Sequence, residues 1–277
     1  MNIFITGATG FIGSNLVFFL LKKNHNLFLM NKKKNYKIVK KNVISIKSDI
    51  NFSKKVLKKI IDFSPDVLIH LAWDGIPDYS KKNSHKNFIN QKKFFSKINN
   101  VESIKKIIIT GSCSEHEGNE HLTSKYFAKT KIKIKNFVKK IFFKKKVILI
   151  WMRLFFVYGK NQNERSLIPR IIKSLKQDKE LKILNPSAKQ DYINVSDVVN
   201  FINLNLEYNK SYECDLGSSV SININDIYPF IKNRMKGFKT KKLNRYKNGF
   251  VSKKINLHKF KWEPKVSIEK GLIELIK

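Results

Sequence analysis

The stretch NIFITGATGFIGSNLVFFLL, residues 2–21, decides the fold. Its first five residues form a short apolar run suited to a buried strand. The run breaks into Thr6-Gly7-Ala8-Thr9-Gly10-Phe11-Ile12-Gly13, and from Ser14 the apolar residues recur at helical spacing. Strand, glycine turn and helix in this order make a site for a dinucleotide pyrophosphate. The first glycine allows the tight turn, the second lets backbone approach the phosphates, and the third lets helix and strand pack closely. The helix N-terminus adds free N–H groups and the positive end of its dipole.

Downstream, the first half of the chain alternates apolar runs with helical patterns. NLFLM, VISI, DVLIHLAW, KKIIITGS and KVILIWMRLFFVYG read as further strands, with helices over 53–63, 84–99 and 127–143. Continuous apolar strands are buried on both faces, which predicts a Rossmann-type doubly wound parallel α/β sheet. After Gly159 the pattern loosens into a small C-terminal α/β lobe. We therefore expect a dinucleotide-binding domain over 1–160, with 187–212 returning to it, and a substrate lobe from 161–186 and 213–277.

The chain has 277 residues, 42% of them hydrophobic, enough for a core without disulfide staples. Its two cysteines, Cys113 and Cys214, form no paired motif, which fits a reducing, cytoplasmic setting. The opening MNIFITGATG has no basic region before an apolar run, so no signal peptide is expected. No apolar stretch reaches the roughly 18 residues of a membrane span. The charge is unusual, with 56 Lys+Arg against 21 Asp+Glu, a net +35. Arginine contributes only at 153, 165, 170, 234 and 245, and the lysines are spread along the chain. Base reading uses forked side chains gathered on one element. Scattered lysine therefore reads as a solvated face and predicts no specific nucleic-acid partner.

The T-G-x-x-G-x-x-G spacing resembles the short-chain dehydrogenase/reductase superfamily, and GATGFIG is similar to its extended branch of nucleotide-sugar epimerases, dehydratases and reductases. Further stretches match in order: SDI at 48–50, HLAW at 70–73, GSCSE at 111–115, RLFFVYG at 153–159, DYINVSDVV at 191–199 and WEPKVSIEKGL at 262–272. The resemblance implies an NAD(P)-dependent enzyme for a nucleotide-sugar substrate, serving surface-polysaccharide synthesis, and leaves room for a homodimer. The alternative is a dinucleotide-binding sensor or partner protein descended from such an enzyme. The resemblance places cofactor contacts at Gly7, Thr9, Gly10, Phe11, Ile12 and Gly13 in the loop, Asn31 and Lys32 after the second strand, Asp49 and Ile50 after the third, and Leu71, Ala72 and Trp73 after the fourth. An NAD site usually carries a carboxylate after the second strand. Here Asn31-Lys32-Lys33-Lys34 follows, so a lysine facing a 2′-phosphate favours NADP over NAD.

Superfamily members pair a Tyr hydroxyl, which transfers a proton, with a Lys four residues later on the same helix face. In LTSKYFAKTK, residues 122–131, three registers compete. Starting at Phe127 matches the small residues and Lys131 but lacks the hydroxyl. Starting at Tyr126 keeps the hydroxyl and puts Thr130 in the lysine's place. Starting at Lys125 places Lys129 there and loses the tyrosine. The expected catalytic group is therefore Ser112, Tyr126, Lys131 and Lys129. Tyr126 and Lys129 share a face, whereas Tyr126 and Lys131 lie about 140° apart on an ideal helix. Phe156 and Gln190 depart from the family's substrate-side Asn and Arg, leaving Lys189, Arg165, Arg170 and Arg245 as candidates for diphosphate charge. His116 and His121 with Glu115, Glu117 and Glu120 match no ligand spacing, so no metal is expected.

Overall fold

The computed structural model describes residues 1–32, 40–116, 124–253 and 262–277. Chain contacts divide it into two compact units, Met1–Arg153 with Ile202–Glu213, and Leu154–Phe201 with Cys214–Lys277.

In the first unit, β1 (Asn2–Thr6), α1 (Phe11–Leu20), β2 (Asn26–Asn31) and β3 (Val43–Lys47) follow the opening motif. Then come α2 (Lys54–Phe63), β4 (Val67–His70), α3 (Lys81–Ile98), β5 (Lys106–Ser112), α4 (Lys125–Phe142) and β6 (Ile148–Leu154). The seven-stranded parallel sheet has the order β10-β6-β5-β4-β1-β2-β3, where β10 is Tyr212–Leu216. Such an order needs right-handed crossovers through helices, which is why apolar strands and amphipathic helices alternate. The register pairs Phe4 with Phe28 and Leu68, so Thr6 ends level with Met30 and His70. The carboxyl ends of β1, β2 and β4 thus finish together. Phe4, Phe28, Phe94, Phe95, Ile107 and Trp151 are fully buried in the core beneath them.

The second unit holds β7 (Phe156–Tyr158), α5 (Leu167–Lys176), β8 (Lys189–Gln190), β9 (Tyr192–Asn194), β11 (Ile222–Asn223), α7 (Ile224–Met235) and α8 (Ile268–Ile276). Its own core gathers Tyr158, Ile168, Ile171, Ile227, Ile231 and Leu272. Helix α6 (Val195–Glu207) runs through the division between the units. Two details differ from the sequence reading. The run KVILIWMRLFFVYG is two strands, because Phe155 N–H turns to Leu216 O and Phe156 N–H to Asp191 O. The strand at 192–194 pairs with β7 in a small sheet, and β10 is the late strand that joins the main one. Asp191 fixes this arrangement: wholly buried, it accepts hydrogen bonds from the backbone N–H of Ser218, Ser219 and Ser252.

Candidate functional site

The glycine loop closes on itself at the end of β1. Gly7 adopts φ +69°, a conformation that favours glycine, and its N–H bonds Met30 O while its carbonyl accepts from Gly10 N–H at 2.9 Å. A Cβ on Gly7 would meet Ala72 N at 2.9 Å, so the β1 loop and the β4 end lie in backbone contact. Gly10 is the N-cap of α1 and has no side chain to cap it. The first-turn N–H groups of Phe11, Ile12 and Gly13 therefore have no side-chain partner within the cap, as an incoming phosphate requires. Thr9 is half-buried and Gly10 is exposed at the loop's crest.

The ends of β2 and β3 sit beside it. Asn31 is buried and its Oδ1 has no hydrogen-bond partner. Lys32 reaches Asp74, Nζ to Oδ2 2.6 Å, with Lys86 Nζ 3.7 Å from the same oxygen. These lysines hold the Asp74 carboxyl below the usual carboxylate range, the Lys32 hydrogen bond contributing most. Asp49 accepts the Asn51 N–H at 2.8 Å and so shapes the turn after β3, next to the half-buried Ile50. Lys33 and Lys34 lie outside the described residues.

A buried polar relay fixes the end of β4. Thr6 Oγ1 lies 2.9 Å from His70 Nδ1, His70 Nε2 lies 2.6 Å from Gln91 Oε1, and Gln91 Nε2 donates to Ala72 O at 2.9 Å. Ala72 N–H donates back to Thr6 Oγ1 at 3.3 Å. The donors and acceptors close only if Nε2 carries the imidazole proton and Nδ1 accepts from Thr6. Burial drives His70 down to about 3, against the Gln91 bond that raises it, so the ring is neutral at physiological pH. The relay sets the backbone of Leu71 and Ala72 against the glycine loop and leads into Trp73, whose buried Nε1 has no partner. Gln91 escaped the sequence reading because it lies on α3, 21 residues from the histidine it holds.

Within LTSKYFAKTK, residues 125–131 form the first turns of α4, while Leu122 and Thr123 lie outside the described residues. Phe127 is 7% exposed, packed edge-on to Trp73 with ring centroids 4.9 Å apart and tilted against Tyr79 at 5.1 Å. Lys131 lies on the same face, also 7% exposed; its Nζ donates to Thr110 O at 2.8 Å and sits 4.2 Å from the Trp73 ring centre. Burial lowers its ammonium to about 8, against the opposing pull of Glu115. Tyr126 is 46% exposed and Lys129 is exposed, so neither joins this buried group. Ser112 ends β5, its Oγ accepting Ser114 N–H while Glu115 takes the Ser112 N–H at 2.7 Å. Glu115 also receives Trp151 Nε1–H, and burial raises its carboxyl. His116 is described, whereas Glu117, Glu120 and His121 lie outside the described residues.

The sequence model of the NAD dependent epimerase/dehydratase family matches residues 3–216. The chain belongs to that family. UDP-glucose 4-epimerase from Thermotoga maritima, solved with UDP-glucose, superposes with a TM-score of 0.83 at 19% identity over 100% of this chain and 97% of its own. dTDP-glucose 4,6-dehydratase from Bacillus anthracis, in complex with NAD, gives 0.79 at 19% over 100% and 95%. UDP-N-acetylglucosamine 4-epimerase from Methanobrevibacter ruminantium, with UDP-N-acetylmuramic acid, gives 0.81 at 21% over 99% and 96%. The residues present suit the family's dinucleotide. The start of α1 carries no side-chain cap, and Asn31 Oδ1 and Trp73 Nε1 are buried polar atoms in want of a partner.

In the second unit, Phe156 packs against Tyr192 and Phe250, and Gln190 accepts the Tyr192 hydroxyl at 2.8 Å. Among the basic candidates, Arg245 is forked onto Glu269 and Lys189 lies 4.0 Å over the Tyr246 ring. Arg165 and Arg170 are exposed. Among the described residues no helix is long and apolar enough to cross a membrane.

Proposed function

We propose that this chain is an NAD(P)-dependent enzyme that reduces, epimerises or dehydrates a nucleotide sugar. The carrying observation is the buried Lys131 ammonium on the same helix face as Phe127, beside Trp73 and one strand away from the end of β4. In this reading the glycine loop holds the pyrophosphate, Asn31, Asp49, Ile50, Leu71, Ala72 and Trp73 line the nucleoside halves, and Lys131 meets the nicotinamide ribose. Ser112 holds the sugar oxygen. The dinucleotide supplies or retrieves the hydride. Nucleotide sugars feed surface polysaccharides, and a cytoplasmic homodimer in that supply is the setting we assign.

The test is incubation of the pure protein with each dinucleotide and a panel of UDP-, dTDP-, GDP- and CDP-sugars, read by product chromatography. Conversion of one sugar is expected. Dinucleotide binding with no conversion across the panel would favour the sensor reading, which the missing hydroxyl at Phe127 supports.

Lys32 is the basis for preferring NADP, but it shares its charge with Asp74. An exposed pair of this kind is worth about 0.2–1 kcal/mol. Asp74→Asn is therefore expected to raise NADP affinity by up to about fivefold and to leave NAD unchanged. Calorimetric titration with both dinucleotides at low salt checks this, and an equal change for both removes Lys32 from the selectivity argument.

A further inference from the structure

We propose that the hydroxyl of Tyr79 is the proton donor in this site, standing in for the one that Phe127 lacks. The inference rests on the nucleotide-sugar reading above. Three observations within the first unit carry it. First, the Tyr79 ring packs on Phe127, 5.1 Å between centroids, so its phenol shares the neighbourhood of Trp73 and Lys131. Second, the segment bearing it is stapled. Asn83 Nδ2 donates to Asp74 O and Asp78 O at 3.0 and 2.7 Å, and the buried Asn87 donates to Asp74 O at 3.0 Å. Asp78 accepts Ser80 N–H at 2.9 Å, and Ser80 caps α3, which leaves Tyr79 fixed between a turn and a helix start. Third, Tyr79 is half-buried although it lies in a loop, and burial raises its phenol above the ordinary value.

A phenol in that state is fully protonated near neutrality. It is suited to give a proton rather than to take one, which favours reduction of a sugar ketone by the reduced dinucleotide. As the carbonyl carbon gains hydride, the carbonyl π pair moves to oxygen and that oxygen takes the Tyr79 proton. Water then reprotonates the phenolate, so one hydride and one proton have added across the C=O bond.

Tyr79→Phe is expected to lower turnover of the sugar found by the panel by about 10²–10³-fold, with dinucleotide affinity held within about twofold. Tyr126→Phe is expected to keep full turnover. Adding Phe127→Tyr to Tyr79→Phe is expected to recover at least about tenfold, because the new hydroxyl lies four residues before Lys131. Independently of turnover, the ¹³Cζ tyrosine resonance that disappears in Tyr79→Phe is expected to shift when NAD or NADP is added, while that of Tyr126 stays. Full turnover by Tyr79→Phe, or collapse of turnover in Tyr126→Phe, overturns the proposal with the enzyme reading intact. A wild type inert on every sugar sinks the enzyme reading instead. The resonance then judges Tyr79 alone: an unmoved signal overturns its place at the cofactor, and a moved one supports it.

Discussion

Gly13→Ala is expected to abolish dinucleotide binding and to cost about 2–3 kcal/mol of stability. A Cβ at this position would stand 2.2 Å from Gly7 O, 2.8 Å from Ala8 Cα and 2.9 Å from Ala8 C. All three are backbone atoms of the loop itself, so no side chain can swing aside to make room. Relief requires α1 to move away from β1 or the loop to open. Either movement breaks the Gly10 N–H to Gly7 O bond and disperses the N–H groups meant for the pyrophosphate. Gly10 is a useful contrast. A Cβ there would meet only Gly7 O at 3.1 Å, and the residue is exposed. Gly10→Ala should therefore fold normally and lose affinity only through crowding of the ligand. Urea unfolding and fluorescence titration of both variants separate the two cases. Wild-type binding by Gly13→Ala would sink the close-packing argument.

The opening motif was legible because its chemistry is local. Strand, glycine loop and helix lie within residues 2–20, and each glycine has a steric task that no other residue can perform. The parallel sheet was legible for a related reason, since runs such as Val67–His70 are buried along their whole length and leave no polar face. What the sequence withheld depends on partners distant in the chain. Lys32 meets Asp74 across 42 positions, and nothing at Lys32 announces a carboxylate there. Tyr79 lies 48 positions before Phe127, outside every stretch whose spacing carries a reading. Its one local signal is its place between Asp78 and the helix-capping Ser80. The split of the sixth apolar run at Phe155 escaped for the same reason. The acceptors for the N–H groups of Phe155 and Phe156 are the carbonyls of Leu216 and Asp191, and residues 154–158 around the split are all apolar or aromatic. Burial distinguishes neighbouring positions in LTSKYFAKTK. One residue along a helix turns the side chain by about 100°, and here that turn separates a 46% exposed Tyr126 from a 7% exposed Phe127.

Lys131→Met is expected to separate stability from binding. The lysine is buried, and burial lowers its ammonium from 10.5 to about 8. Below pH 8 the amine is protonated in both folded and unfolded states, and the fold bears the full cost of enclosing the charge. Between 8 and 10.5 the folded state releases its proton first, so the unfolded state holds more protons and stability rises with pH. Above 10.5 that cost is gone. Methionine fills a similar volume without charge, so at neutral pH the variant should be as stable as the wild type or more so, by about 1–3 kcal/mol, less what the Thr110 carbonyl loses with its donor. Dinucleotide affinity should move the other way. Loss of a charged hydrogen bond to the ribose is worth about 1.5–3 kcal/mol, or roughly 10–150-fold. The wild type should also bind less tightly as pH climbs through about 8, because the same ammonium is being lost, while Lys131→Met should show no such step. Thermal melts and dinucleotide titrations from pH 6.5 to 9.5 on both proteins read the two trends. A destabilised variant that keeps wild-type affinity would make Lys131 a packing element and remove it from the cofactor site.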